Sequence, residues 1–468
     1  MKQINWIEEV MKRKDDLLSD TQSFLQIESV LDENTKDTHA PFGKGIQEAL
    51  EFLLEQGSRD GFTVKNVDGY AGHIEYGVGS ELVGVLCHID VVPAGDGWTS
   101  TPFSAEIRDG KIFARGALDD KGPTMAAYYA MKIVRDLGLK TNKRLRMIIG
   151  TDEESNWGCV EHYFKHEEMP GMGFAPDADF PIIYAEKGIC DVTLKQEISA
   201  EESDTEYRLL SFSSGRRFNM VPDLAEANIE GSVSRMTSLF EDFLSKNKLT
   251  GSFSIEGNTV WLKVNGISAH GMEPRNGVNA GTKLVEFLQG FEFDNNAVKF
   301  LKFASTYLVE DSRGESLEIA NSDDITGDLT MNVGILAYQV ENGGTFGLNI
   351  RYPVTHQIET SIDMIKTKSN EFGFTIGTIS DSKPHHVDKE HDLVKTLQRV
   401  YTEQTGEEAT LLSIGGGTYA RSLKAGVAFG PLFPGRPDIA HQKDEYIEID
   451  DLVKATAIYA QAIYELIK

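Results

Sequence analysis

Cysteine is scarce: the 468 residues hold three, Cys87, Cys159 and Cys190. An odd count at such wide spacing excludes a disulfide framework and a Cys-x-x-Cys metal knuckle, and it fits a reducing cytoplasm. No apolar stretch is long enough to span a bilayer, and residues 1–18 read as a charged amphipathic helix lacking the apolar core of a secretory leader. A soluble cytoplasmic protein with no membrane partner is therefore expected. Basic residues are also short: 46 Lys and Arg face 73 Asp and Glu, a formal net charge of −27. Phosphate backbones are bound by Lys and Arg that displace counterions, so nucleic acid is excluded as a partner. The chain shows no biased tract or repeat of fixed period, which argues against extended disorder and solenoids.

What remains is ordinary core material, 40% hydrophobic and 25% charged residues, in a chain too long for one core. Residues 81–88 and 143–150 are short apolar runs of the kind buried in a parallel sheet. Between them Pro123 suits a first helical turn, and Met125, Tyr128, Tyr129, Ile133 and Leu137 form an apolar face before Gly138, which predicts a helix over 121–139. Strand, helix and strand imply an α/β domain with a central mixed sheet, and such sheets place ligands beyond the carboxyl ends of their strands. Further helices are expected over 46–55, 393–402 and 452–467, so the two ends of the chain share this domain. From 191 to 384 the texture changes to alternating strands, such as 331–340 and 345–352 joined through Asn342, Gly343 and Gly344, which predicts an inserted α+β lid domain. The expected division is thus 1–190 and 385–468 for the catalytic domain and 191–384 for the lid.

Polar residues follow both apolar strands. His88 and Asp90 flank Ile89 and share a side by period-2 alternation; a carboxylate there can hold one imidazole nitrogen while the other binds metal, yet the triplet alone carries little weight. Asp119 and Asp120 precede the predicted helix, where an N-cap is the plain alternative. Asp152, Glu153 and Glu154 end the second strand, and three consecutive carboxylates repel one another unless cations or solvent compensate. Two other histidine groups have plainer readings. His385 and His386, with Asp388, Glu390 and His391, read as a solvated linker, and His162 and His166 as surface packing on a helix.

Five motifs in order give these clusters a common meaning: HID at 88–90, ARGALDDKGP at 114–123, TDEES at 151–155, APDADFP at 175–181 and DIAH at 438–441. Together they resemble the co-catalytic zinc metallopeptidase family that includes carboxypeptidase G, carnosinase and succinyl-diaminopimelate desuccinylase, and within it the bacterial PepV-type dipeptidases. The resemblance implies that His88 and Asp177 bind one metal, Glu154 and His441 the other, and Asp119 bridges them. Zinc is the implied metal, with manganese or cobalt also compatible with such ligands. It further implies Asp90 as the group orienting His88, Glu153 as general base, and His270 in GISAHG as a donor to the oxyanion. Asn219, Arg351 and the loop at Gly415 match positions that hold the substrate carboxylate, although Gly415 to Gly417 read equally well as a flexible turn.

The implied reaction is removal of the free N-terminal residue from a dipeptide by a two-metal-activated water, with substrate between the two domains. The nearest alternative is a deacylase or desuccinylase on the same scaffold. Asp177 opposes it, because the peptidase branch tends to carry Asp there and the acylamino-acid hydrolases Glu. An inactive metal-dependent binding protein is a further alternative that an intact Glu153 and ligand set make improbable. The length of the insertion implies a monomer.

Overall fold

The computed structural model describes residues 4–199 and 205–468, which divide into two compact units. One unit takes the chain up to Ala185 with His386–Leu412 and Thr418–Lys468; the other comprises Glu186–His385 and Ser413–Gly417. No helix among the described residues is long and apolar enough to cross a membrane.

The first unit is built on a mixed sheet with strand order Thr63–Val67, Ala71–Gly77, Arg144–Gly150, Leu82–His88, Met172–Ala175, Gly426–Ala428 and Ile182–Glu186. Its centre is parallel: Leu82–His88 pairs with Arg144–Gly150 on one side and Met172–Ala175 on the other. All seven residues of Leu82–His88 are buried, as a strand covered on both faces requires. Lys121–Asp136 forms the expected crossover helix, and it packs against Ile449–Ile467 in the core of the unit. The predicted helix over 1–18 is instead two helices, Trp6–Met11 and Lys14–Leu25, and its first three residues lie outside the described residues. The break falls at Arg13, whose guanidinium turns back to the Glu9 carbonyl at 3.0 Å. Thr63–Val67 and Ala71–Gly77, which the sequence analysis did not anticipate, form a hairpin at the edge of the sheet.

The second unit is α+β. Its eight antiparallel strands run in the order Thr250–Glu256, Thr259–Asn265, Leu224–Gly231, Tyr207–Ser214, Thr330–Gln339, Gly343–Tyr352, Gly188–Gln196 and Phe374–Ser382. Four helices, Val233–Asn247, Ala280–Leu288, Asn295–Tyr307 and Ile358–Asn370, contribute to a separate core with Phe300, Phe303, Phe346 and Phe374 at its aromatic centre. The predicted hairpin over 331–352 is present, but its return strand starts two residues earlier, at Gly343 with φ +77°, after the Asn342 amide donates to the Gln339 carbonyl.

Candidate metal centre and active site

Three adjacent parallel strands deliver their chain to one edge of the first unit's sheet: Leu82–His88 ends on His88, Arg144–Gly150 leads to Glu153 and Glu154, and Met172–Ala175 leads to Asp177. Asp119 arrives at the same edge just ahead of the crossover helix, through a cis Asp119–Asp120 peptide. This is the carboxyl end of the parallel strands, where α/β sheets place their ligands.

The side chains converge. One Asp119 oxygen lies 3.0 Å from His88 Nε2 and the other 3.0 Å from His441 Nε2. His441 Nε2 is also 2.9 Å from Glu154 Oε1, and His88 Nε2 is 3.7 Å from Asp177 Oδ1. Asp119 therefore stands between the two imidazoles with one oxygen toward each, the arrangement a carboxylate bridging two ions requires. His441 holds its place with a left-handed backbone, φ +63°, a costly conformation for a non-glycine residue.

The charge balance of this edge is lopsided. Asp119, Glu153, Glu154 and Asp177 meet only two histidines, while the nearby cations are committed elsewhere: Arg115 to Glu445, and Lys121 Nζ to the Ile27 carbonyl at 2.7 Å. Burial and then the charge of Asp119 push Asp177 up to about 7. Burial likewise raises Glu153, with Asp177, Glu154 and Asp119 adding to the effect against His88. Hydrogen bonds donated to Asp119 and Glu154 push the His441 imidazole up to about 10 as well. Asp177, Glu153 and His441 shift in the direction that brings positive charge into the site or removes negative charge, whereas Asp119, against its burial, is held below the usual carboxylate range by hydrogen bonds from His441 and His88. Divalent cations meet the same demand, and two imidazoles with three carboxylates are a donor set that zinc, manganese or cobalt accepts. The residues present fit a pair of such ions.

Three details differ from what residue types alone suggest. Asp90 does more than face His88: His88 Nδ1 lies 2.9 Å from the Asp90 backbone carbonyl and 3.5 Å from its Oδ1, while the two carboxylate oxygens accept the amides of Glu153 at 3.1 Å and Glu154 at 2.9 Å. Asp90 thus also locks the backbone carrying the general-base and ligand candidates. Asp120 stands at the N-cap position, but its side chain caps no helix amide. Its Oδ2 accepts the His88 amide at 3.1 Å and the Thr124 hydroxyl at 3.2 Å, and burial keeps its carboxyl well above the usual range. Asp152 organises the turn after Glu154 by accepting the Gly158 amide at 2.8 Å.

A fourth feature escaped sequence reasoning. Arg115 and Glu445 form a fully buried ion pair at 2.6 Å. Glu445 also accepts the amides of Leu118 at 2.8 Å and Asp119 at 3.2 Å, and Arg115 donates to the His441 carbonyl at 3.2 Å. The pair ties the loop bearing Asp119 to the loop bearing His441. Its signal in the sequence is slight: Arg115 stands within a motif, but Glu445 sits in a polar run that resembles any solvated turn.

The second unit gathers its own polar residues. Arg351 is buried, its Nε donating to Asn349 Oδ1 at 2.9 Å and a terminal nitrogen to the Gly415 carbonyl at 3.2 Å, while Asn349 donates to Asp191 at 2.5 Å. Gly415 therefore meets Arg351 through its carbonyl. An added Cβ at Gly415 would stand 3.2 Å from the Met272 Cβ, so the loop runs close to the His270 turn. His270 is exposed, and its Nδ1 accepts the Met272 amide at 3.1 Å, which assigns the ring proton to Nε2 and makes that nitrogen a donor. Burial and the charge of Arg351 lower its pKa, keeping the ring neutral. Asn219 lies beside this turn, its carbonyl accepting the Gly271 amide at 2.7 Å.

The sequence profile of Peptidase family M20/M25/M40 matches residues 84–465. The chain belongs to this family. It is 58% identical over 466 residues, 99% of this chain and 100% of the other, to the Bacillus subtilis (strain 168) protein named Putative dipeptidase YtjP. It is 45% identical over 464 residues, 98% of this chain and 99% of the other, to a Staphylococcus epidermidis (strain ATCC 12228 / FDA PCI 1200) protein named Putative dipeptidase. Among solved structures, the fold resembles aminoacylhistidine dipeptidase from Vibrio alginolyticus, with TM-score 0.58, 14% identity and 96% and 97% of the two chains covered. Human carnosine dipeptidase 1 is similar at TM-score 0.55 and 13% identity, with 98% of each chain covered.

Proposed function

We propose that this protein is a metal-dependent dipeptidase that cleaves dipeptides with a free amino terminus. The observation that carries the reading is Asp119, with one oxygen toward His88 and the other toward His441 in a pocket short of positive charge. The relatives named dipeptidases, similar over nearly the whole chain, support it. His88 and Asp177 would hold one divalent ion and Glu154 and His441 the other, with Asp119 shared. When bound, the ions supply Lewis-acid polarisation and lower the pKa of water.

The remaining work falls to the chain. Glu153 takes a proton from the attacking water and returns it to the leaving nitrogen, so that a C–O bond forms, the C–N bond breaks and two amino acids leave. Burial raises its pKa above the ordinary carboxylate range, which makes it a stronger base toward the attacking water. Asp90 holds the Glu153 and Glu154 backbone, and the Arg115–Glu445 pair positions Asp119 and His441. His270 Nε2 is the donor assigned to the oxyanion, and Arg351, with Asn219 and the Gly415 loop, is assigned to the terminal carboxylate. The domain division at 190/191 and 384/385, the cytoplasmic location and the monomeric state belong to the same proposal. Light scattering that shows a stable dimer contradicts the last of these.

The substrate assignment is tested by kcat/KM for a dipeptide, its N-acetylated form and its one-residue extension at equal metal loading. Acetylation removes the substrate ammonium and an added residue displaces the terminal carboxylate assigned to Arg351, so the dipeptide is favoured over both. Equal values for all three remove recognition of the two charged ends, and preference for the acetylated substrate moves the protein to the deacylase branch.

A further inference from the structure

Among the described residues a second group of metal-type donors lies apart from those above: Asp68, His162 and His166, each with a ligand atom within 4.8 Å of the others. His162 and His166 are four apart near the end of the helix Gly158–His166, so they share a face, and their ring centroids are 4.3 Å apart. Asp68 comes from the hairpin turn between Thr63–Val67 and Ala71–Gly77. Asp68 at φ +56° and Gly69 at φ +74° are its two central residues, closed by the Tyr70 amide on the Val67 carbonyl at 3.0 Å. Positive φ at both is the mark of a tight type I′ turn, which fixes the direction of the Asp68 carboxylate.

The turn aims that carboxylate at the helix, with Asp68 Oδ2 3.0 Å from His162 Nε2. Tyr70, from the same turn, stacks on the His162 ring at 4.2 Å and 18°. The Tyr70 carbonyl in turn accepts the Thr151 hydroxyl. His166 Nδ1 donates to the His162 carbonyl at 2.8 Å, which leaves the Nε2 lone pair as the free ligand atom. An imidazole whose second nitrogen is fixed on a backbone carbonyl is the usual form of a metal-ligating histidine.

An Asp–His ion pair at a helix C-terminus accounts for Asp68 and His162 alone, since cations there complement the dipole. It does not account for His166. That pair makes no use of the His166 Nε2, whereas one divalent ion takes a ligand atom from both imidazoles and from the carboxylate. We propose that Asp68, His162 and His166 form a separate mononuclear site for a borderline divalent transition metal of the zinc class, with water completing the coordination. Two nitrogen ligands and one oxygen select such ions over calcium or magnesium. Ligand atoms around tetrahedral zinc stand about 3.3 Å apart, so the spread closes by small rotations of partly exposed side chains.

The test is equilibrium dialysis of the full-length protein against zinc, with metal and protein counted. The wild type is expected to hold one ion per chain more than a His162→Ala/His166→Ala double variant, and His166→Gln alone, at an exposed position, is expected to lose the same ion. In Asp119→Asn the loss falls on the active-site ions and the extra ion stays, which separates this site from the catalytic reading. Equal zinc counts in the wild type and both histidine variants overturn the proposal.

Discussion

The two units hold their polar residues in opposite ways. At the sheet edge of the first, four carboxylates face two histidines and the nearby Arg and Lys are committed elsewhere; in the second, Arg351 closes a chain of partners running through Asn349 to Asp191 and to Gly415. The first arrangement is electrostatically incomplete without added cations, and the second is complete by itself. The contrast repeats in two histidines of the first unit. Asp119 and Glu154 push His441 up to about 10, while burial and the charge of Arg146 bring His73 down to about 4. Residue type does not decide the role; burial and the surrounding charge do.

The largest expected effect concerns the acidic edge. Glu153→Gln keeps size and backbone amide but removes the proton acceptor, so turnover should fall about 10²- to 10⁴-fold. Metal content, counted on the same sample, should remain at the wild-type value. Turnover within a fewfold of wild type would remove Glu153 from the mechanism.

Next comes the buried pair beneath that edge. Arg115→Met leaves Glu445 buried without its cation, and breaking such a pair costs about 3–5 kcal/mol. Urea unfolding measures this, and a change below about 1 kcal/mol would mean that water or a rearranged partner compensates Glu445.

His73 supplies a pH effect of smaller size. It is buried, with Nδ1 2.9 Å from the Tyr163 hydroxyl, and its pKa falls to about 4 from burial first and Arg146 second. The unfolded chain takes up this proton below about pH 6.5 and the folded chain only near pH 4, so the contribution is intact above 6.5 and is lost as pH falls through that window. Between pH 7 and pH 5 the wild type should lose about 2 kcal/mol more than His73→Gln. Parallel stability curves for the two proteins would show that His73 titrates normally.

The smallest effect is expected where the network is already complete. Arg351→Lys keeps the charge but loses the planar fork, so kcat/KM for a dipeptide should drop about tenfold, chiefly through KM. A fall in kcat alone would place Arg351 with the chemistry rather than with the carboxylate.

Much of the catalytic edge was legible in the sequence, because strand ends are local events: an apolar run stops, and the next polar residues land at the sheet edge. His88 and Glu154 were readable on that ground, Asp177 only through the resemblance of the motif at 175–181, and the crossover helix on its 3.6-residue pattern. Closure in three dimensions was not readable. Glu445 lies 330 residues from Arg115, and nothing near it in the chain distinguishes a buried anion from a solvated one. The same holds for Asp90, whose partners are backbone amides, and for His162 and His166, which read as surface residues until the Asp68 turn meets them. Side-chain chemistry can be read along the chain, but the choice between two nearby donors depends on the fold.

The central claim is that the first unit requires added cations to act on a dipeptide. Stripping the protein with a chelator and titrating zinc or manganese back while following dipeptide hydrolysis tests it most directly. Activity should vanish in the stripped protein, return with the metal, and reach its plateau only when two active-site ions are bound in the His162→Ala/His166→Ala background, which leaves the other site uncounted. Full hydrolysis by the metal-free protein, or a plateau at one ion per chain, would contradict the account.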